Sequence, residues 1–287
     1  MYIRCWGSRG SIPVSGKEYN KYGGDTTCLE IRSCNNDLII VDAGTGIRAL
    51  GNNLIKENIH AFDMLFTHAH WDHLMGFPFF KPIFRKGITI TIRCNSFNRK
   101  SVKNIFDGLM DRPYFPVQLS DKDIRADIAF KKIPGRPFTI GSVTITAIPL
   151  SHPKDGGCGF RFEENGKSFV FLTDNELGYV HNGGRTFDEY REFCKYADLL
   201  IHDAEYEDDE YRNILKISEE PWGHSALSDV VRLALSAEVK KLGLFHLNVM
   251  RTDKKVDAMV AKARTRFKKA KKKIECCAVG PAFEISL

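Results

Sequence analysis

The sequence has no apolar run approaching the roughly 20 residues that a bilayer span requires. It also has no signal-peptide core: the opening MYIRCWGSRGSIP goes straight into a strand-like stretch. A soluble, unexported, cytoplasmic protein is therefore expected. No CxxC spacing occurs, and the eight cysteines are scattered among apolar segments of a chain too long to need staples. They are expected to be reduced and mostly buried. No linker rich in Pro, Gly or Ser divides the chain, so residues 1–287 are expected to form one domain. With 43% hydrophobic and 27% charged residues, such a chain buries a full core, which excludes disordered and fibrous classes.

The excess of one charge is moderate. The formal net charge is +6, and much of it lies in KARTRFKKAKKK at 262–273. That run is either the solvated face of a carboxy-terminal helix or a contact for RNA phosphates, and it tolerates anionic substrates in both cases.

Strand-like runs are present at LEIRS, DLIIVDA, DMLFT, ITITIRC, VTITAIPL, CGFRFEE, KSFVFLTD, DLLIHDA and KLGLFHL. Helices are predicted over 45–56, 98–110, 186–196, 225–237 and 253–270. Each half begins with hairpin-spaced strands and ends with strand and helix alternating. Two sheets packed face to face with helices outside would use that order well. LMDRPYFPVQLSDKD, at 109–123, has too many breakers for an element and reads as a long loop or lid.

The densest chemistry is LFTHAHWDHLMGF at 65–77. His68 and His70 fall on the loop after DMLFT and alternate to one side of an extended backbone. Asp72 and His73 begin the next helix and can point back toward them. Three imidazoles and a carboxylate this close are a donor set for zinc or a similar divalent ion. Three more candidates end or follow strands: His152 after ITAIPLS, Asp174 after FVFLT, and His246 after KLGLF. One tetrahedral site cannot use all of these groups, whereas two adjacent metals can. With two oxygens, Asp174 is the natural shared ligand.

THAHWDH, followed in order by His152, Asp174 and His246, resembles the metallo-β-lactamase superfamily over nearly the whole chain. The resemblance implies an α/β fold, the four-layer αββα sandwich, with a dinuclear centre at the sheet edges. One site would hold His68, His70 and His152, the other Asp72, His73 and His246, with Asp174 bridging. Two divalent ions are implied, zinc first and manganese as the alternative.

ADLLIHDAEY (197–206) and WGHS (222–225) resemble the acidic and GHS motifs of the phosphodiesterase branch, which includes ribonuclease Z and the cyclic-phosphate hydrolases. By that likeness His224, oriented by Asp203, would meet the scissile phosphate or protonate the leaving oxygen, and Asp72 would join them as a catalytic group. Glu205 is a second candidate for the orienting carboxylate, and a His224 that only caps the helix near Ser225 is the structural alternative. WGSRGSIPVSGKEYNKYGGDTTCLEI and DAGTGIRALG most resemble the cyclic nucleotide phosphodiesterases and the anti-Pycsar enzymes. Asp25 stands where that family has Asn in YGGNTS, and Leu247 and Asn248 replace His and Asp of FHHDP.

The implied reaction is hydrolysis of a 3',5'-cyclic nucleotide to a nucleoside monophosphate, in a homodimer and away from membranes. An RNA-processing enzyme of the ribonuclease Z type, or a hydrolase of another small cyclic phosphate, is the alternative. RNA is the second choice because no insertion resembles the tRNA-binding arm of ribonuclease Z. Substrate contacts are expected from Arg9, Asp25, Tyr114 and Phe115. Arg9 could instead form only a tight turn, and PYFP could plug the sheet edge.

Overall fold

The computed structural model describes residues 1–95, 101–218 and 220–287. The first half of the chain builds β1 (Tyr2–Gly7), β2 (Cys28–Arg32), β3 (Leu38–Val41), β4 (Ala61–Leu65), β5 (Thr89–Cys94) and β6 (Asp127–Lys132). Between them run helices α1 (Ile47–Lys56), α2 (Trp71–Leu74) and α3 (Val102–Leu109). The second half builds β7 (Phe138–Ile140), β8 (Val143–Leu150), β9 (Gly157–Glu164), β10 (Lys167–Leu172), β11 (Leu199–Asp203), β12 (Lys241–Phe245), β13 (Glu275–Ala278) and β14 (Glu284–Ser286). Its helices are α4 (Phe187–Cys194), α5 (Asp208–Ile217), α6 (Leu227–Ser236) and α7 (Asp253–Lys269).

Two seven-stranded sheets result, ordered β14-β1-β2-β3-β4-β5-β6 and β13-β12-β11-β10-β9-β8-β7. The expected change of style within each half is present. Antiparallel pairing joins β1 to β2 and β2 to β3, and parallel pairing then carries the sheet through β4, β5 and β6. In the second sheet β7 to β10 are antiparallel, while β10 to β13 are parallel. The last strand, β14, returns to the first sheet and pairs with β1.

Alternation along the parallel strands shows why both faces are apolar. In β10, Phe169 and Phe171 enter the layer between the sheets, and Val170 and Leu172 face the helices. In β3, Ile39 and Val41 do the first job and Leu38 and Ile40 the second. Burial on both faces is the normal state of parallel strands. Each such side chain contributes roughly 1.5–3 kcal/mol by leaving water. The layers are thus helix, sheet, sheet, helix, with α1 and α3 packed on one outer face and α4, α6 and α7 on the other.

Sequence reading passed over β6, β7, β13, β14 and α5. β6 is a sheet-edge strand whose apolar face is limited to the half-buried Ile128 and Phe130, and β7, β13 and β14 are three or four residues long. The expected helix over 98–110 begins at Val102 among the described residues; positions 98–100 lie outside them. Residues 110–126 contain no helix or strand, in keeping with the expected loop.

Candidate metal centre

The ligand candidates sit where strands of both sheets stop. β4 ends at Leu65, and after a bend at Thr67 the chain reaches His70, whose extended backbone precedes α2, the helix carrying Asp72 and His73. His152 lies two residues beyond β8, Asp174 two beyond β10, and His246 one beyond β12. Asp174 and His246 have φ of 49° and 51°, in the left-handed region, as does Asp42 at 62° just after β3. Each such conformation costs a non-glycine residue of order 1–3 kcal/mol, and it turns these side chains inward at the sheet edge.

The chain folds all seven expected groups into two clusters. His68, His70, His152 and Asp174 form one, and Asp72, His73, His246 and Asp174 form the other; within each, the donor atoms lie within 4.8 Å of one another. Asp174 spans both: Oδ1 is 3.2 Å from His73 Nε2, and Oδ2 is 3.3 Å from His246 Nε2 and 3.6 Å from His68 Nε2. Asp72 Oδ2 lies 3.1 Å from His246 Nε2 and 3.4 Å from His73 Nε2. His152 Nε2 and His70 Nδ1 are 3.2 Å apart.

The opposite nitrogen of four imidazoles is already engaged. His73 Nδ1 is 2.8 Å from Asp42 Oδ2, and Asp42 in turn accepts the backbone N–H and the hydroxyl of Thr67. His246 Nδ1 is 3.0 Å from Glu205 Oε2, whose other oxygen accepts from the Asn248 amide. His152 Nδ1 donates to the Gly223 carbonyl at 3.0 Å, and His68 Nδ1 lies 3.1 Å from the Thr67 hydroxyl. Such partners fix the tautomer and orientation of a metal-bound imidazole. The donors left over point at each other, and His68 Nε2 and His73 Nε2 are buried with no hydrogen-bond partner among the described residues. A buried polar atom without a partner costs free energy unless something absent from the chain satisfies it. Neutral nitrogens mixed with carboxylate oxygens fit two borderline divalent cations.

Protonation follows the same division. Burial drives His68 well below its ordinary value and takes His152 down to about 3, so both are neutral donors. Burial opposes the charge on Asp174 too, but His246, His73 and His68 overcome it and hold the carboxyl well below its ordinary value. Burial also works against charged His73 and His246, yet Asp72 and Asp174 beside the first, and Asp174, Asp72 and Glu205 beside the second, lift both well above 6.5.

His224 lies over this centre. Its ring stacks on His246 at 4.5 Å and meets His152 edge-on at 5.5 Å. Nδ1 is buried, 3.5 Å from Asp203 Oδ2 and 4.0 Å from Asp174 Oδ2, and makes no hydrogen bond among the described residues. His224 does not cap the following helix, because α6 starts at Leu227 with Ala226 before it. Of the two carboxylates offered for orienting His224, Asp203 is the neighbour; Glu205 belongs to His246. Asp203 is itself fixed by the backbone N–H groups of Asn175 (2.7 Å) and Ser225 (2.9 Å).

The expected substrate contacts fare differently. Arg9 is fully buried and donates through Nε and Nη1 to the carbonyls of Gly23, Asn248 and Arg251, so it clamps the amino-terminal loop, while its Nη2 makes no hydrogen bond among the described residues. Asp25 likewise works within the loops, accepting from the Thr45 hydroxyl at 2.8 Å. Phe115 packs on the first sheet's helix-side core and meets Phe79 edge-on at 5.5 Å, whereas Tyr114 is 81% exposed. The clamped loop nevertheless touches the centre. The Ser11 N–H donates to Asp72 Oδ2 at 2.8 Å, and a Cβ at Gly10 would come within 2.3 Å of the His246 ring. Sequence reading missed Asp42, Thr67 and Gly223 as partners of the ligand histidines; the DA after DLIIV and the G of WGHS were the only local signals.

A four-layer α/β sandwich with two divalent-cation clusters sharing one carboxylate at the sheet edges defines a structural class. The chain belongs to the beta-lactamase superfamily, whose domain matches residues 38–247. No curated protein sequence matches it. Among solved structures it is similar to the metallo-beta-lactamase fold protein YhfI from Bacillus subtilis, at 18% identity over 99% of this chain and 98% of that one, with a TM-score of 0.68. It is also similar to the short form of human tRNase Z (17% identity, 100% and 99% covered, TM-score 0.64) and to unliganded yeast PDE1 (12%, 100% and 99%, 0.70). At these identities the likeness concerns the fold. No described helix is long and apolar enough to cross a membrane.

Proposed function

We propose that the protein is a metal-dependent phosphodiesterase that opens small cyclic nucleotides, 3',5'-cyclic phosphodiesters in the first place, to nucleoside monophosphates. Zinc is the first candidate for the two ions and manganese the second. One observation carries the reading: an imidazole backed by a buried carboxylate, His224 with Asp203, stands directly over two cation clusters that share Asp174. Bound divalent ions would supply an activated water at neutral pH and positive charge for the phosphoryl oxygens. His68, His70 and His152 would hold one ion, Asp72, His73 and His246 the other, and Asp174 both.

The chain's own part is proton handling and orientation. With His224 Nδ1 turned toward Asp203, Nε2 is left to donate a proton to the departing ribose oxygen, a step that general acids typically accelerate 10²–10⁴-fold. Asp203, held by two backbone N–H groups, keeps the ring in that orientation and balances its charge. Tyr114, exposed in the 110–126 loop, is the stacking surface for the base, across the interface of a homodimer. Within the basic run Lys262 pairs with Glu207, Arg266 with Asp208, and Arg264 donates to the Cys276 carbonyl, so its first half is engaged within the fold.

The test is turnover of 3',5'-cyclic nucleotides with each of four bases, 2',3'-cyclic nucleotides and a precursor tRNA, with added zinc or manganese and with a chelator. Chelator-sensitive opening of a 3',5'-cyclic nucleotide is expected. Cleavage of the precursor tRNA alone, or inertness toward every phosphodiester with both ions bound, would overturn the proposal.

A further inference from the structure

A buried carboxylate that takes no part in either cluster lies behind His152. Glu176 is 1% exposed, two residues past Asp174. Its Oε2 accepts the Gly223 N–H at 2.8 Å and lies 2.7 Å from His181 Nε2, and its Oε1 accepts the Tyr211 hydroxyl. His181 is also buried, and its other nitrogen lies 3.2 Å from Glu220 Oε1, at the start of the segment that leads to His224.

What this carboxylate holds is the peptide on which the centre depends. The Gly223 carbonyl is the partner of His152 Nδ1. Gly223 has φ +86°, and a Cβ there would sit 2.2 Å from His152 Nδ1, so the backbone can approach the ring only because the residue is glycine. The next residue is His224. Two further bonds stitch the same two loops together. The Ser225 hydroxyl donates to the Asn175 carbonyl at 2.6 Å and accepts the Leu177 N–H at 3.0 Å. The loop that supplies the shared ligand Asp174 and the loop that aims His152 and carries His224 are thus joined; Asp203 also bridges them through Asn175 and Ser225, and Glu176 is the carboxylate that reaches Gly223.

We infer that Glu176, acting through Gly223, is a positioning residue for His152 and His224: its carboxylate pins the Gly223 N–H and so sets the carbonyl that orients the metal-binding imidazole. The part concerning His224 rests on the phosphodiesterase reading; the part concerning His152 does not.

The test compares Glu176→Met, which keeps length and removes the acceptor, with Glu176→Gln. The glutamine oxygen can still accept from Gly223 and His181 while its NH₂ turns to the Tyr211 oxygen. Metal-free protein is titrated with Co²⁺, following the visible spectrum and chelator competition, with thermal unfolding measured alongside. Glu176→Met is expected to weaken the ion of the His68, His70 and His152 cluster about 10- to 100-fold, the range usual for partners of metal ligands, and the other ion by less than about threefold. Glu176→Gln is expected to restore both. If Glu176→Met does not fold, Glu176→Asp, whose shorter side chain withdraws from Gly223, is expected to show the same selective loss. Folded Glu176→Met or Glu176→Asp with wild-type affinity for both ions would overturn the inference, as would a Gln variant no better than Met. A catalytic readout separates the second half. Loss in the Met variant is expected to be at least tenfold greater on a cyclic nucleotide than on bis(p-nitrophenyl) phosphate, whose leaving group needs no proton. Equal losses would remove His224 from the inference. Selective metal loss in a protein inert toward all phosphodiesters would leave the His152 role standing and bring down the function proposed above.

Discussion

In the cluster of Asp72, His73 and His246, each imidazole is backed by a carboxylate, Asp42 behind one and Glu205 behind the other. In the cluster of His68, His70 and His152 the backing groups are the Thr67 hydroxyl and the Gly223 carbonyl, and His70 is exposed to solvent. The two halves share Asp174 yet differ by three carboxylates in their surroundings. A carboxylate behind an imidazole makes it more basic and a stronger donor. The half with Asp72, His73 and His246 is enclosed and carboxylate-backed, whereas the half with His68, His70 and His152 has neutral backing groups and opens to solvent at His70.

The largest expected effect erases the comparison. Asp174→Ala removes the ligand common to both halves and should empty both of metal, with hydrolysis down by at least about a thousandfold, checked by metal analysis and turnover. Next comes a change that leaves the comparison intact. His224→Ala should retain two ions per chain and lose roughly 10²–10⁴-fold in rate on cyclic nucleotides, with a smaller loss on p-nitrophenyl esters. Retention of full activity would remove His224 from the reaction. Glu205→Gln should level the two halves by weakening only the enclosed ion, about 10- to 100-fold in a chelator competition.

The smallest effect separates the halves by pH. His73 and His246, lifted well above 6.5, carry protons at neutral pH until a cation displaces them; His68 and His152, pushed down, carry none. Affinity of the enclosed half should therefore fall as pH drops through the raised values and recover as pH rises, while the open half holds its affinity to lower pH. Calorimetric titrations at pH 7 in buffers of different ionisation enthalpy should show proton release with the enclosed ion and almost none with the other.

How much of this was legible depended on distance along the chain. His68, His70, Asp72 and His73 occupy six consecutive positions, so local spacing alone brings them together. His152, Asp174 and His246 were readable because each follows an apolar strand, and strands of stacked sheets bring their ends to a common edge. The groups behind the ligands were not readable. Asp42 reaches His73 only through the parallel register of β3 with β4, and Glu205 reaches His246 through that of β11 with β12. The clamp on Arg9 was not readable either, because the carbonyls of Asn248 and Arg251 that accept from it lie far along the chain from the Gly-Ser-Arg-Gly loop. Asn248, a departure from the resembling family, proves to donate to the Glu205 carboxylate behind His246.

The central claim is that two cations on a shared carboxylate make one catalytic unit for phosphodiesters. The most direct test adds Zn²⁺ or Mn²⁺ stepwise to metal-free protein and follows opening of a 3',5'-cyclic nucleotide against ions bound per chain. Activity that stays low through the first equivalent and rises to a plateau at two is expected. A plateau at one, or no cyclic nucleotide opened with two ions bound, would contradict the claim.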